Sequence, residues 1–222
     1  MRTIAVVPAR GGSKSFPGKN LALFHGRPLV AHAIATGQAA GIDEVLLTTD
    51  DDAIADAGRS AGARVVNRPS ELATDMSRTV DAVLHALDDV PDDVLLVLLQ
   101  PTSPLRTSDD VVECVRMHGD RPSGSVVQVA ASPEHHPLKA CLEVDGRLVP
   151  VRDWLDLEAP RQSLPVVLRP TGGVYVVRAG DLRAQHRFFV PEVLAQRIPP
   201  ERALDIDTES DLALAERLTT SL

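Results

Sequence analysis

TIAVVPARGGSKSFPGKN, residues Thr3 to Asn20, joins a continuous apolar run to a loop that carries three cations and no acid. The run from Thr3 to Ala9 shows no apolar–polar alternation, so it predicts a strand buried on both faces. Such strands belong to parallel sheets covered by helices, and the loop that follows leaves the sheet at its carboxyl edge, where α/β folds collect ligands. Gly11, Gly12, Pro17 and Gly18 break any helical pattern here, while Arg10, Lys14 and Lys19 make the loop positive.

The same alternation continues outward. Pro28 to Ala40 has helical periodicity and closes on Gly41. EVLLTTD is a second buried strand, and Asp50 to Asp52 cap the helix DDAIADAGRSAGA. ARVVNRP reads as a third strand, RTVDAVLHALDDV as an amphipathic helix, and DVLLVLLQPTSPLR as an apolar run halted by a polar loop. SDDVVECVRMHG is a helix opened by Ser108, and GSVVQVAA is a further strand. LRPTGGVYVVR returns to the core, and TESDLALAERL closes the chain as a helix. Strands alternating with helices of about a dozen residues define an α/β fold, with a mostly parallel sheet and helices on both faces. ACLEVDGRLVPV carries a central Asp-Gly and predicts a hairpin. With the charged stretch around Trp154 it forms an inserted dimerisation arm at about 140–165, within a single domain spanning 1–222.

Composition narrows the function. A net charge of −8 argues against a general nucleic-acid binder or an anionic-membrane binder. No acid precedes Asp43, so the amino-terminal segment is a positive island in a negative molecule. Only three lysines stand against twenty arginines, and two of the three, Lys14 and Lys19, share this loop. Cys114 and Cys141 are too few for a disulfide framework, and both are expected to be buried, reduced thiols. With no leader pattern and no apolar run of about 20 residues, a cytoplasmic protein is expected.

The familiar nucleotide loops fail on spacing. A Walker loop needs four residues between its first glycine and Gly-Lys, then a hydroxyl. Here five separate Gly12 from Gly18, and Asn20 follows Lys19, which counts against a P-loop kinase or NTPase. GGSKSFPG also fails the dinucleotide fingerprint, and Pro17 disfavours a helix at this point. An anion cradle remains. Gly11 and Gly12 let backbone amides turn inward, Arg10 offers a planar fork, and the lysines supply point charges.

PARGGSKSFPGKN resembles the signature of the acylneuraminate cytidylyltransferases, the CMP-sialic acid synthetase family. NRPSELATD, LLQPTSPLRT, SPEHHPLK, PRQSLP, LRPTGGVY and DIDTESDL are similar to further motifs of that family, in the same order, so the likeness runs the length of the chain. It implies a Rossmann-like nucleotidyltransferase fold and a homodimer. It also implies magnesium-dependent joining of CTP to a nonulosonic acid, with release of pyrophosphate. By the same resemblance Arg10, Gly11, Gly12, Ser13, Lys14, Lys19, Asn20 and Arg68 would bind the nucleotide. Gln100, Lys139, Arg161 and Arg169 would bind the sugar acid, with Phe188 and Phe189 offered by a partner subunit to its N-acyl group. Asp205 and Asp207 would bind magnesium, and Arg10, Lys19 and Asp207 would carry the catalysis.

The residues themselves allow plainer readings at some of these places. Asp205 and Asp207 alternate about Ile206 and project to one face of an extended segment, whereas Thr208 and Asp211 fit a capping box. His135 and His136 are adjacent, face opposite ways in a strand, and form no zinc site. On composition alone Phe188 and Phe189 would more often be core residues, and only the family resemblance raises them. Two departures from the family pattern, Ser15 for glycine and Thr171 for asparagine, leave the acid open among neuraminate, legionaminate and pseudaminate relatives. An octulosonate, a phosphonate acceptor, or a nucleotide-binding protein without catalysis are the alternatives.

Overall fold

The computed structural model describes residues 1–132 and 136–220. β1 (Thr3–Pro8) forms from the opening apolar run, and the cation loop then leads to a small hairpin of β2 (Leu23–Phe24) and β3 (Arg27–Pro28). α1 (Leu29–Ala39), β4 (Glu44–Thr49), α2 (Asp52–Ser60), β5 (Arg64–Asn67), α3 (Thr79–Ala86), β6 (Leu95–Leu98), α4 (Ser108–His118) and β7 (Ser125–Ala131) then alternate as expected. β8 (Cys141–Val144) and β9 (Arg147–Pro150) form the arm hairpin, and α5 (Trp154–Glu158) follows it. β10 (Leu168–Arg178), α6 (Ala179–Gln185), β11 (Val193–Ile198) and α7 (Glu209–Thr220) complete the chain.

Seven strands make one sheet in the order β11-β7-β10-β6-β1-β4-β5. β1 runs parallel to β4 and β6, β5 to β4, and β11 to β7, while β10 alone is antiparallel to its neighbours. The unbroken apolar runs are explained by burial on two faces. Ala5, Val7, Val45 and Leu47 face a core with Val30 and Ile34 of α1 and Val111 of α4. Ile4, Val6, Leu46 and Leu96 face a second core with Val83 of α3 and Leu182 of α6. Each of these valine, leucine and isoleucine side chains contributes about 1.5–3 kcal/mol on burial. The sheet is therefore mostly parallel with helices on both faces.

Several local expectations are refined or corrected. α4 opens at Ser108 as expected, and the residue before it, Thr107, caps it, because Thr107 and Asp110 exchange side-chain-to-backbone bonds in a capping box. Cys114 is fully buried, and burial pushes its thiol up to about 12. Cys141 is only half-buried, since the hairpin that carries it projects from the core. α6 and β11 were not read from the sequence: α6 has few apolar positions, and the apolar residues of β11 (Val193, Leu194, Ala195 and Ile198) follow no clear alternation. β11 is an edge strand in which Gln196 and Ile198 are buried while Val193, Ala195 and Arg197 are exposed. His135 lies outside the described residues, and His136 acts as a hydrogen-bond residue between Leu138 and Pro165.

Asp110 is the best-satisfied buried acid. It is 5% exposed and receives both Nη atoms of Arg202, at 2.6 and 3.1 Å, besides the Thr107 amide. Burial alone would raise its carboxyl, but Arg202 and Thr107 outweigh that and hold it below the ordinary value of 3.8. The stabilisation is therefore complete above the unfolded value and is lost as pH falls through the depressed folded one. Asp110→Ala is expected to cost about 2–3 kcal/mol, read as a lower urea midpoint at pH 7, with the difference from the native chain shrinking below pH 3.8.

Candidate active site

The cation loop begins where β1 makes its last rung, the Ala9 amide donating to Thr48 O at 3.0 Å. Asn20, 7% exposed, closes the loop by donating Nδ2 to Arg10 O at 2.9 Å. Phe16 is buried in one apolar cluster with Phe24, Leu29, Leu105, Ile206 and Ala215. Gly11 is required by close approach, since a Cβ there would lie 2.8 Å from Asp51 Oδ2. Its amide donates to Asp50 Oδ1 at 3.1 Å, and the Ser13 amide donates to Gly11 O. Gly12 has open space around it. The positive surface facing the cavity is therefore made by side chains, while the amides of Gly11 and Ser13 are engaged within the protein.

A cavity of about 470 Å3 opens beside this loop, at the carboxyl ends of β1 and β6. Arg10, Ser13, Lys14, Lys19 and Asn20 line it from the amino terminus. Arg68, Gln100 and Asp207 line it from three other segments. Arg68 is 8% exposed and donates to Thr48 Oγ1 and O, and burial lowers its pKa, while Asp50 opposes the shift. Each cation of the loop has an acidic partner. Asp75 meets Arg10 at 3.0 Å and Lys14 at 2.5 Å, and Lys19 meets Asp207 at 2.9 Å. Lys14 first, and then Arg10, hold the exposed Asp75 carboxyl below the usual range.

Ile206 is fully buried, and its amide donates to Thr102 O at 2.8 Å. That anchor holds Asp207 at the cavity wall, while Asp205, outside the lining, is hydrogen-bonded by Thr102 and feels the charges of Asp207 and Lys19. Asp207 and Asp205 are both exposed as residues, although the surrounding protein desolvates the Asp205 carboxyl. Burial raises the Asp205 carboxyl most, a Thr102 hydrogen bond opposes this, and the Asp207 charge raises it further. Thr208 and Asp211 make the reciprocal bonds of a capping box at α7, as their spacing predicts.

The remaining expected residues lie outside this cavity in the single chain. Lys139 donates Nζ to Leu157 O at 2.8 Å and to Ala159 O, both in the arm. Arg161 lines a separate depression of about 420 Å3 with His136 and Val166. Arg169 donates Nη2 to Ala203 O at 2.8 Å. Phe188 packs half-buried against the core, Phe189 is 46% exposed, and both rings lie against Tyr175. Thr171 is 3% exposed, and its hydroxyl donates to Gln128 Oε1 at 2.8 Å. Asp75 and Thr102 were not singled out in the sequence. Asp75 sits in a polar loop with no spacing signal, and Thr102 acts partly through a backbone carbonyl, which no side-chain pattern reports.

An α/β fold with clustered cations and two near-terminal aspartates at the carboxyl edge of its sheet defines a nucleotide-handling class. The family model for cytidylyltransferases matches residues 4–146. The chain is 36% identical to CMP-N,N'-diacetyllegionaminic acid synthase of Legionella pneumophila, over 98% of this chain and 96% of that one. It is 29% identical to N-acylneuraminate cytidylyltransferase of Streptococcus agalactiae over 95% of this chain, and spans only 52% of that relative's length. A solved structure of CMP:2-keto-3-deoxy-manno-octonic acid synthetase complexed with CTP shares the fold. Its TM-score is 0.73 at 20% identity, with coverage of 100% of this chain and 99% of that one. The chain belongs to the cytidylyltransferase family.

Because Asp75 competes for Arg10 and Lys14, Asp75→Asn is expected to tighten binding of inorganic pyrophosphate about two- to fivefold, the scale of an exposed ion pair. Titration calorimetry at two salt concentrations checks this, and a weaker affinity in the variant contradicts it.

Proposed function

We propose that the protein transfers a cytidylyl group from CTP to a nonulosonic acid of the sialic type. The anomeric oxygen of the acid forms a bond to the α-phosphorus, the bond to the bridging oxygen of pyrophosphate breaks, and the hydroxyl proton leaves to water. The convergence of Arg10, Lys14 and Lys19 with Asp207 on one cavity carries this reading. Phosphoryl transfer asks mainly for positioning and for charge on the leaving oxygens, which is what a fork and two ammonium groups supply.

Asp205 and Asp207 suit a magnesium ion. Asp205 is a carboxyl raised by burial and by its neighbour's charge, and a cation would relieve both. Magnesium keeps several waters, so two aspartates suffice, and when bound it would spread the charge of the phosphates. The Lys19–Asp207 pair at 2.9 Å sets the lysine beside that position.

A homodimer is part of the same reading. The arm exposes Leu142, Val144, Leu148, Trp154 and Leu155, by 59, 49, 65, 56 and 73%, an apolar surface that a second copy would cover. Lys139, Arg161, Arg169, Phe188 and Phe189 would then complete the acid site across or beside that contact. We place the enzyme in the cytoplasm, where its nucleotide is found. No helix among the described residues is long and apolar enough to cross a membrane.

Pyrophosphate release with CTP, magnesium and a panel of neuraminate, legionaminate, pseudaminate and octulosonate acids tests the activity. Release is expected only with all three components together, and highest with a nonulosonate. Lys19→Ala is expected to lower kcat about 100- to 1000-fold, and full activity in that variant would remove the loop from the chemistry. Leu148→Asp is expected to shift the protein to monomer in sedimentation and to weaken acid use more than CTP use.

A further inference from the structure

Arg106 is a buried charge that the proposed chemistry does not use. It is 5% exposed, and among the described residues it makes no ion pair. Asp110, the acid that raises its pKa, is already held by Arg202. Burial brings the guanidinium down to about 10, so it stays charged at neutral pH. Its Nε has no hydrogen-bond partner among the described residues. An unpaired interior charge costs several kcal/mol, and an apolar side chain of similar volume would serve the fold at least as well.

What the guanidinium does hold is two backbone carbonyls at the cavity. Nη1 donates to Gln100 O at 3.0 Å and to Gly173 O at 2.7 Å. These belong to different segments, the loop after β6 and an irregular stretch of β10 where the register shifts between Pro170 and Tyr175. Ser103 Oγ reinforces the join by donating to Thr171 O at 3.2 Å. Gly172 lies between them with φ +75°, and a Cβ there would sit 2.9 Å from Gln100 Oε1. The Gln100 side chain therefore rests on the bare face of Gly172, at a place the Arg106 clamp determines. Thr102, two residues further on, receives the Ile206 amide through its carbonyl.

We propose that Arg106 is a positioning residue of the site, which fixes Gln100 against Gly172 so that its amide is held ready for the polar groups of the acid acceptor. This rests on the transferase reading above and names the element that sets its acceptor contact. A neutral amide offers both donors and an acceptor, which fits hydroxyl, carboxylate and N-acyl groups rather than a triphosphate. The triphosphate cations stand on the loop after β1, which is anchored by Asn20 and Phe16 and not by Arg106.

Arg106→Lys, which keeps the charge but loses the fork, is compared with Gln100→Ala, Arg106→Met and the Gln100→Ala/Arg106→Lys double variant. Arg106→Lys is expected to lower kcat/KM for the acid about 10- to 100-fold, with the KM for CTP within about twofold. Arg106→Met is expected to lose more than Arg106→Lys. Gln100→Ala is expected to add almost nothing in the Arg106→Lys background, because both act on one contact. Additive losses, or an equal loss of CTP binding, overturn the proposal. Amide hydrogen exchange supplies a readout that does not depend on turnover. Faster exchange at residues 100–103 and 171–174, with residues 3–10 unchanged, supports the clamp, and unchanged exchange there overturns it. A wild-type chain that binds CTP but activates no acid refutes the transferase reading instead, and the exchange result still decides the clamp.

Discussion

The burial of Ile206 in one apolar cluster with Phe16 is the contact on which the site depends. Phe16 belongs to the cation loop, and Ile206 to a segment nearly two hundred residues later. Neither segment has regular structure to hold it. Apolar burial supplies the hold, at about 1.5–3 kcal/mol for each side chain, and the Ile206 amide adds a bond to Thr102 O. With Ile206 facing inward, Asp207 is left at the cavity wall. Lys19 and Asp207 meet at 2.9 Å as a consequence, so the electrostatics at this point follow from packing.

The site also works against the character of the chain that carries it. The net charge is −8, yet the loop after β1 has no acid of its own. Its cations are matched by acids from elsewhere, Asp75 and Asp207. Apart from Lys19, whose side chain is 13% exposed, these matched charges reach solvent and cost little to keep in water. The set can exchange one anionic partner for another, and a polyphosphate offers more oxygens and more charge than a single carboxylate. The partners thus preserve the cradle's geometry without opposing its use strongly.

Much of this was legible beforehand because the governing features are local. The two-sided burial of β1, β4 and β6 appears directly as unbroken apolar runs, and the Asp-Gly of the arm marks its hairpin. The cation loop showed itself by spacing and by the lysine count. The start of α4 at Ser108 was legible, but its cap was not, since only the geometry with Asp110 shows that Thr107 takes that role. Asp75 and Arg106 were illegible for a stronger reason. Their importance comes from partners 61 to 67 residues away, such as Lys14 and Gly173, and no local period records such distances. The bonds that engage Gly11 and Ser13 were likewise hidden, because a glycine pair permits several backbone directions.

The reversed strand explains why the second wall of the cavity could be built at all. In a wholly parallel sheet only loops that follow strands reach the carboxyl edge. β10 runs antiparallel between β6 and β7, pairing Tyr175 with Leu98 and Arg178 with Leu95. Its beginning, and not its end, therefore lies beside the loop after β6. That places Thr171, Gly172 and Gly173 next to Gln100, within reach of Arg106 and Ser103. A strand start tethered by a full ladder is stiffer than a free loop, so Gln100 gains a rigid neighbour on one side. The irregular register after Pro170 then frees the Gly173 carbonyl from regular pairing and makes it available to a side chain. The single inverted strand, its local irregularity and the buried guanidinium form one device, in which each part has a use only because the other two are present.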